Sequence, residues 1–391
     1  MTQHAKLSAS GAHRWLNCPP SANVEAKYPN TTSVFAEEGS FAHRLAELKL
    51  NLEYKYIHKA GYNTILGALK KNDFYTEELE DYVDSYVNTV IELINESKKN
   101  CSDVLVEFEQ KLDFSEYVPE GFGTGDVVII ADDTLQIVDL KYGKGVEVSA
   151  EDNPQLRLYG LGAYLTYGCL YDISKVKMTI IQPRLDNISS EIIEVKELLK
   201  WADRVKQIAE LAYKGKGEFK AGSHCKFCKA KAECKERANY NLELVDKYNF
   251  EADVFLAPEE IADILFKADD IQSWIKDIKE YALNEATKGV KYPGFKLVEG
   301  RSNRQYKDKA EVVKVLQDNG YQDIYKPQEL KGITDMTKLL GKKNFETILS
   351  DLVIKPQGKP TLVPMSDSRP ELLSTDSAKE DFKEDLEEIP F

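Results

Sequence analysis

Three charged residues in the middle of the chain have the types and spacing that metal-dependent hydrolysis needs: Asp126, Asp139 and Lys141. Side chains two residues apart in a strand share a face, so Asp139 and Lys141 are expected to point the same way, and Val138 and Leu140 into the core. Converging carboxylates repel each other and favour a divalent cation between them, and oxygen ligands suit Mg²⁺ or Mn²⁺. A lysine beside the cation orients water or stabilises the charge that develops during phosphodiester hydrolysis.

The elements that position these residues follow from the apolar pattern. Residues 125–130 and 135–141 alternate as two strands joined by the turn at 131–134, and this hairpin places Asp126 beside Asp139. Further strands are predicted at 104–112 and 175–182, and helices at 7–27, 36–53, 76–98, 153–168, 191–214 and 258–287. The fold class is therefore α/β.

These motifs resemble the PD-(D/E)XK nuclease core, and more narrowly its RecB-like branch. That branch has a histidine on an upstream helix, matched here by His43, and a Gln-x-x-x-Tyr helix after the D-x-K strand, matched by Gln155 and Tyr159. All occur in the family's order, and the resemblance implies a mixed sheet flanked by helices. Each motif alone has an ordinary explanation, because strands expose charges and amphipathic helices carry surface histidines.

The resemblance implies a role for each matching residue. The cation ligands are then His43, Asp126, Asp139 and the Leu140 carbonyl. Lys141 is the catalytic lysine, and Gln155 and Tyr159 line the DNA path. On the preceding strand, Glu107 and Glu109 are expected to lie on a solvated face, with indirect support of the site as the alternative.

A second group of chemistry-bearing residues lies near residue 230. Cys225, Cys228 and Cys234 form C-x₂-C-x₅-C, a metal-site spacing. The candidates for a fourth ligand are Cys18, Cys101, Cys169 and His224.

The same resemblance implies the fourth ligand and the cofactor. Some RecB-like nucleases, including the CRISPR-adaptation nucleases and the AddB subunit, hold a [4Fe–4S] cluster with one N-terminal cysteine and a distant C-x₂-C-x₅-C. Cys18 matches that N-terminal cysteine. Four cysteines also suit zinc, which stays the alternative. Either metal would pin together the two ends of a nuclease domain spanning residues 1–245.

The overall composition excludes other classes of protein. The 391 residues carry 52 Lys and Arg against 66 Asp and Glu, a net charge of −14, which argues against a protein that coats nucleic acid. No apolar run approaches the roughly 20 residues of a membrane span. The N-terminus lacks the apolar core of a signal peptide. We therefore expect a cytoplasmic protein that does not engage membranes, with reduced cysteines.

Beyond the nuclease domain the sequence predicts a smaller α+β module over 246–365 and a disordered acidic tail over 366–391. Residues 292–304 are predicted as a strand or hairpin, where Arg301 and Arg304 suit contacts with DNA phosphates. A solvated hairpin is the alternative. The chain ends Ile389-Pro390-Phe391 after a run of acids, like the tip of bacterial single-stranded-DNA-binding proteins. Host proteins that bind such tips are therefore candidate partners, and a solubilising tail is the alternative.

The function expected from these features is DNA cleavage that depends on Mg²⁺ or Mn²⁺. The whole chain also resembles an uncharacterised family of phage and prophage proteins. That resemblance implies an exonuclease that resects DNA ends in recombination or replication, working with a strand-annealing or single-stranded-DNA-binding protein. The alternative is a protein that binds DNA without cutting it, or an adaptor that recruits replication and repair proteins.

Overall fold

The computed structural model of the protein describes residues 5–29, 33–248, 256–298, 309–318, 332–349 and 352–353. The chain divides into two compact units, Met1–Phe295 and Lys296–Phe391. In the described part of the second unit there are three short helices. All the other elements belong to the first unit, which contains the predicted site.

The first unit contains nine helices and five strands in its described residues. The helices are α1 (Ala12–Asn17), α2 (Ser21–Glu25), α3 (Val34–Glu53), α4 (Lys59–Leu69), α5 (Glu77–Asn100), α6 (Pro154–Tyr167), α7 (Val195–Tyr213), α8 (Lys235–Tyr248) and α9 (Pro258–Thr287). The strands are β1 (Leu105–Asp113), β2 (Phe122–Ala131), β3 (Thr134–Leu140), β4 (Lys175–Gln182) and β5 (Asn187–Glu194). The second unit contains α10 (Lys309–Asp318), α11 (Ile333–Leu340) and α12 (Lys342–Leu349).

The five strands form one mixed sheet in the order β1-β2-β3-β4-β5. Strands β1, β2 and β3 are antiparallel neighbours, β3 and β4 are parallel, and β5 returns antiparallel to β4. The parallel pair requires a crossover, and α6 supplies it. The α/β class and the helix-flanked mixed sheet that the sequence predicts are confirmed.

The start of one predicted helix was wrong. Residues 191–194 belong to β5, and α7 begins at Val195. In β5 the side chains alternate between covered and exposed, as expected of an edge strand that has one face toward the core and the other toward solvent. The segment Glu191-Ile-Ile-Glu194 has acids three residues apart, which is also a helical spacing, so the pattern alone favoured the wrong element.

Different helices cover the two faces of the sheet. Helices α1, α6 and α7 pack on one face, in an apolar cluster that includes Ile137, and this is called the α6 face. Helices α3 and α5 pack on the other, in a cluster that includes Val138, and this is called the α3 face. Successive residues of β3 thus enter opposite layers. The prediction that Val138 and Leu140 point into the core is confirmed, since both are buried against the α3 face.

The side-chain alternation of β1 reverses around Glu109. Phe108 and Leu112 are four residues apart and would share a face of a regular strand, yet Phe108 packs on the α3 face and Leu112 on the α6 face. Glu109, between them, has φ of 48°, a conformation that is uncommon for a residue other than glycine. The flanking pairs of the register place Glu109 opposite Asp126. The kink therefore lies beside one of the predicted metal ligands.

The first unit extends past the boundary at residue 245 that the sequence analysis placed. That position lies within α8, and α9 packs against α8. Arg237 on α8 and Asp277 on α9 form a buried ion pair, with Nη1 and Oδ2 2.6 Å apart.

The segment 292–304 was predicted as a strand or hairpin. Its described part, residues 292–298, contains no strand, and Tyr292–Phe295 form a turn. The remainder lies outside the described residues.

No helix among the described residues combines the length and the apolar character that crossing a membrane would require.

Candidate active site

The predicted histidine and the first predicted aspartate meet beside the C-terminal end of β3. Helix α3 begins at Ser33, whose hydroxyl accepts the N–H of Ala36, and it packs an apolar stripe on the sheet. This packing brings Nδ1 of His43 to 3.0 Å from Oδ1 of Asp126 on β2. The other oxygen of Asp126 accepts the backbone N–H of Leu140 at 2.6 Å. Both carboxylate oxygens of Asp126 are thus fixed in direction.

The remaining predicted residues form a chain of contacts that begins on β3. The Nζ of Lys141 lies 2.7 Å from Oδ2 of Asp139 and donates to Oε1 of Gln155 at 2.9 Å. The amide of Gln155 donates in turn to the hydroxyl of Tyr159 at 3.1 Å. Asn153 caps α6 by accepting two backbone N–H groups, which sets the first turn that carries Gln155. The lysine is therefore held from two sides, by a strand and by a helix.

The pairing of β2 with β3 brings the His43–Asp126 contact and the Asp139–Lys141 contact together. Val127 of β2 pairs with Val138 of β3, so Asp126 and Asp139 occupy the next position of the same register. Neighbouring strands lie about 4.8 Å apart, which places two carboxylates side by side. The structure therefore brings all seven residues of the predicted nuclease motif, including Leu140, into one region of the sheet.

His43 and Asp126 each shift the pKa of the other. Burial by itself lowers the pKa of His43, but the Asp126 carboxylate outweighs it and raises that pKa to about 9. Burial raises the pKa of Asp126, yet the charge of His43 and the hydrogen bonds from His43 and Leu140 prevail, so its pKa is lowered. Without a metal, the two side chains therefore form an ion pair at neutral pH.

The other two carboxylates of the site have raised pKa values. Burial raises the pKa of Asp139, against the opposing effect of the Lys141 ammonium, and the charge of Asp126 adds to the rise. Burial and then the charge of Asp126 raise the pKa of Glu109 to about 7, although His43 acts in the other direction. Burial is the main cause of both shifts and the charge of Asp126 adds to it, and buried carboxylates with perturbed pKa values mark candidate functional sites.

Glu109 lies inside the site, unlike the solvated position that the sequence favoured. Its carboxylate belongs, with His43 and Asp126, to a group of ligand atoms that all lie within 4.8 Å of one another. The alternation of side chains along a regular strand could not predict this position. The kink in β1 at Glu109 puts the residues that follow it on the opposite faces from those that regular alternation would give. The register of β1 with β2 in the structure, which places Glu109 opposite Asp126, reveals the position, and no pattern in the sequence does.

The four predicted cluster cysteines surround one cavity of about 460 Å³. Cys18 is buried at the end of α1, and Cys225, Cys228 and Cys234 lie on the segment between α7 and α8. All four are free thiols, and burial raises the pKa of Cys228 to about 11. The other two cysteines, Cys101 and Cys169, do not line this cavity, whereas His224 does.

Direct contacts also join the N-terminal helices to the cysteine segment. Glu25 on α2 accepts from Arg14 at 2.7 Å and from the backbone N–H of Lys229 at 2.9 Å. Tyr28 donates to Glu233 at 3.4 Å. Residues about 200 positions apart are therefore adjacent, as a shared metal group would require.

Arg301, Arg304 and the acidic tail over 366–391 lie outside the described residues, so their predicted contacts with DNA and with partner proteins stay predictions.

The sheet is mixed and five-stranded, with helices on both faces and an acidic, histidine-containing site at the end of β3. These features define a mixed α/β protein with a candidate metal centre. The chain belongs to the family described as Protein of unknown function (DUF2800), whose model matches residues 4–370. Among solved structures, the crystal structure of SSO0001 matches 57% of this chain and 96% of its own, with 14% sequence identity and a TM-score of 0.21. A similarity of that size carries no argument about fold or activity.

Proposed function

We propose that the protein is a deoxyribonuclease that depends on Mg²⁺ or Mn²⁺ and has a PD-(D/E)XK core. The observation that carries the proposal is the convergence on one partly buried site of an imidazole, two carboxylates and a lysine: His43, Asp126, Asp139 and Lys141. These groups come from one helix and two strands, 98 positions apart in sequence at the extremes (141 − 43). A surface cluster of charges would not be held by buried strands on both sides.

The residues present fit a divalent cation. Carboxylate oxygens are ligands for both Mg²⁺ and Mn²⁺, and the Leu140 carbonyl would add another oxygen. The neutral imidazole of His43 suits Mn²⁺ better than Mg²⁺. His43 must lose its proton to bind a metal, and the cation would replace that proton as the partner of Asp126. A bound cation would supply polarisation of the scissile phosphate and acidification of a water.

Lys141 would stabilise the negative charge that develops on the phosphate during hydrolysis. Its ammonium is held by Asp139 and Gln155 and remains partly exposed, with 26% of the side chain accessible. A pre-positioned cation does not have to reorganise as charge develops, and this is where such a group is most effective. Asp139 and Gln155 would thus position the lysine as well as form the edge of the site.

The Gln-x-x-x-Tyr helix would place the substrate through Gln155. That residue is partly exposed, whereas Tyr159 is buried and accepts its hydrogen bond. The family resemblance assigns both to the DNA path. The geometry supports a direct DNA contact for Gln155 and a supporting position for Tyr159.

We also propose that the cysteine cavity holds a [4Fe–4S] cluster with a structural role, ligated by Cys18, Cys225, Cys228 and Cys234. Tetrahedral zinc at 2.3 Å from each sulfur would require the sulfurs to lie about 3.8 Å apart. Among the described residues, His43, Glu109 and Asp126 are the one group of three ligand atoms within 4.8 Å of one another. The wider spread of the cysteines around a large cavity favours a multi-metal cluster over zinc.

The cluster proposal is tested by elemental analysis of protein purified without oxygen. A cubane requires about four irons per chain, and Cys18→Ser should lose most of this iron although residue 18 is distant in sequence from the other ligands. Cys169→Ser is the matched control and should retain it, because Cys169 is exposed and away from the cavity. Stoichiometric zinc without iron would instead support the zinc alternative.

The biological setting proposed is the resection of DNA ends in phage or prophage recombination or replication, together with a strand-annealing or single-stranded-DNA-binding protein. Host proteins that recognise an acidic Ile-Pro-Phe tip are further proposed partners. These proposals rest on the sequence resemblances, because the residues concerned lie outside the described part of the chain.

The nuclease proposal is tested with end-labelled single- and double-stranded DNA, incubated with the anaerobically purified protein and Mg²⁺, Mn²⁺ or EDTA. We expect cleavage with either cation, none with EDTA, and none by Asp139→Asn. The matched control is Asp132→Asn, an exposed aspartate in the β2–β3 turn whose positive φ asparagine tolerates. DNA binding without cleavage under all these conditions would favour the alternative of a non-cleaving binding protein.

A further inference from the structure

A small recess lies beside the proposed active site, between α3, α5 and the β1–β2 pair. It is about 10 Å³ in volume, close to the roughly 10–15 Å³ that one water-sized species occupies. His43, Glu109, Asp126 and Tyr86 line it, together with Glu47. The ligand atoms of His43, Glu109 and Asp126 all lie within 4.8 Å of one another, a separation that a single cation can bridge.

A second, independent observation points to an occupant of this recess. The hydroxyl of Tyr86 has no hydrogen-bonding partner among the described residues, although the side chain is only 1% exposed. A buried hydroxyl without a partner is costly, and native structures normally satisfy it with protein, water or an ion. Because Tyr86 lines the same recess as the two carboxylates, a cation there would supply the missing partner of its hydroxyl oxygen.

The backbone of β1 shows that the position of Glu109 is specified. Its φ of 48° is a strained conformation for a residue with a side chain, and glycine would adopt it more easily. Strain of this kind persists where the surrounding structure over-determines it. Here the kink removes Glu109 from the regular alternation of β1 and leaves its carboxylate beside His43 and Asp126.

We infer that Glu109 is a direct ligand of a divalent cation bound in this recess with His43 and Asp126, and that the Tyr86 hydroxyl oxygen contacts that cation. The inference rests on the proposed function and extends its ligand set, which came from His43, Asp126, Asp139 and Leu140. Asp139 is already engaged by Lys141 at 2.7 Å, whereas Glu109 has no ion-pair partner of its own within 4.0 Å in the described structure.

The ligand set also predicts the preferred metal. One imidazole and two carboxylates suit Mn²⁺, whereas Mg²⁺ prefers oxygen ligands alone and retains more of its water. The protein should therefore bind Mn²⁺ more tightly than Mg²⁺ when the two are compared at equal concentration.

The test is Mn²⁺ binding to the full-length, anaerobically purified protein, measured by electron paramagnetic resonance of the free ion. Glu109→Gln should raise the Kd for Mn²⁺ by about 100-fold. Loss of a residue that only supports a metal ligand already weakens metal binding by about 10–100-fold, so loss of a charged ligand should reach the upper end of that range. The matched control, Glu107→Gln on the same strand, should stay within about threefold, because a more distant charge is screened. Tyr86→Phe should cause a smaller loss of about tenfold.

Glu109→Gly guards against a folding failure, since glycine suits the positive φ at this position. It should melt at or above the wild-type temperature and show the same loss of Mn²⁺ binding. Wild-type Mn²⁺ affinity in both Glu109 variants would overturn the inference, even if the protein cuts DNA. Conversely, Glu109-dependent Mn²⁺ binding without any DNA cleavage would uphold the ligand and refute the proposed nuclease.

Discussion

Raising the pH should strengthen Mn²⁺ binding to this protein steeply, because the cation competes with protons for its ligands. His43 has its pKa raised to about 9 and Glu109 to about 7, so both carry protons at pH 6. Asp126, whose pKa is lowered, is already ionised. Each proton that must leave before the cation binds weakens the apparent affinity below the pKa of its group.

The size of the effect follows from the two pKa values. Between pH 6 and pH 8 His43 stays largely protonated, so each unit of pH makes its unprotonated, metal-binding form nearly tenfold more abundant. This strengthens Mn²⁺ binding by about 90-fold over the interval. Glu109 titrates within the interval and adds about tenfold. The Kd for Mn²⁺ should therefore fall by roughly 1,000-fold from pH 6 to pH 8, and it should level off above pH 9.

Isothermal titration calorimetry without oxygen measures this dependence at several pH values. His43→Asn removes the larger contribution, so its affinity, although weaker overall, should change by only about tenfold over the same interval. A wild-type Kd that changes by less than about tenfold would refute the assignment of His43 as a ligand that must lose a proton. An unaltered pH dependence in His43→Asn would refute it equally.

Three further variants test the site and its support. Lys141→Ala should lower the rate of DNA cleavage on the order of 10²–10³-fold while Mn²⁺ binding persists, and an unchanged rate would exclude the catalytic role. Gly123→Ala places a β-carbon 2.5 Å from the Tyr159 ring, so it should cost about 1–3 kcal/mol in urea unfolding and reduce cleavage more than Mn²⁺ binding. Asp277→Ala leaves Arg237 buried without that partner and should cost about 3–5 kcal/mol, measured by the same unfolding; a loss under 1 kcal/mol would show that water reaches the pair.

The parts of the fold that could be predicted are those with a regular period. The buried strands β2, β3 and β4 each carry several apolar residues, and α3, α5 and α6 have apolar residues at helical spacing, so each was found from its pattern. The edge strand β5 (Asn187–Glu194) was not predicted at all, and its last four residues were assigned to a helix because Glu191–Glu194 satisfies a helical and a strand period alike. Helix α4 (Lys59–Leu69) was missed too; Leu69 alone of its residues is buried.

The candidate site was predictable where its residues keep regular strand or helix geometry. Asp139 and Lys141 share a strand, Gln155 and Tyr159 share a helix face, and their contacts follow from those periods. Glu109 was not predictable, because its position depends on a local reversal of β1 that no residue pattern announces. The cavity formed by distant cysteines likewise depends on tertiary packing of α1 and α2 against the segment before α8.

The central claim is that a divalent cation beside Asp126 and Lys141 acts on a DNA phosphate. Anomalous diffraction at the manganese edge, from crystals of Lys141→Ala protein with Mn²⁺ and a short DNA duplex, tests it most directly, because this variant should bind both without cutting. The account predicts an anomalous peak bonded to His43 and Asp126, with a phosphate oxygen within reach of the ion. A peak elsewhere, or DNA bound away from Gln155 and this centre, would contradict it.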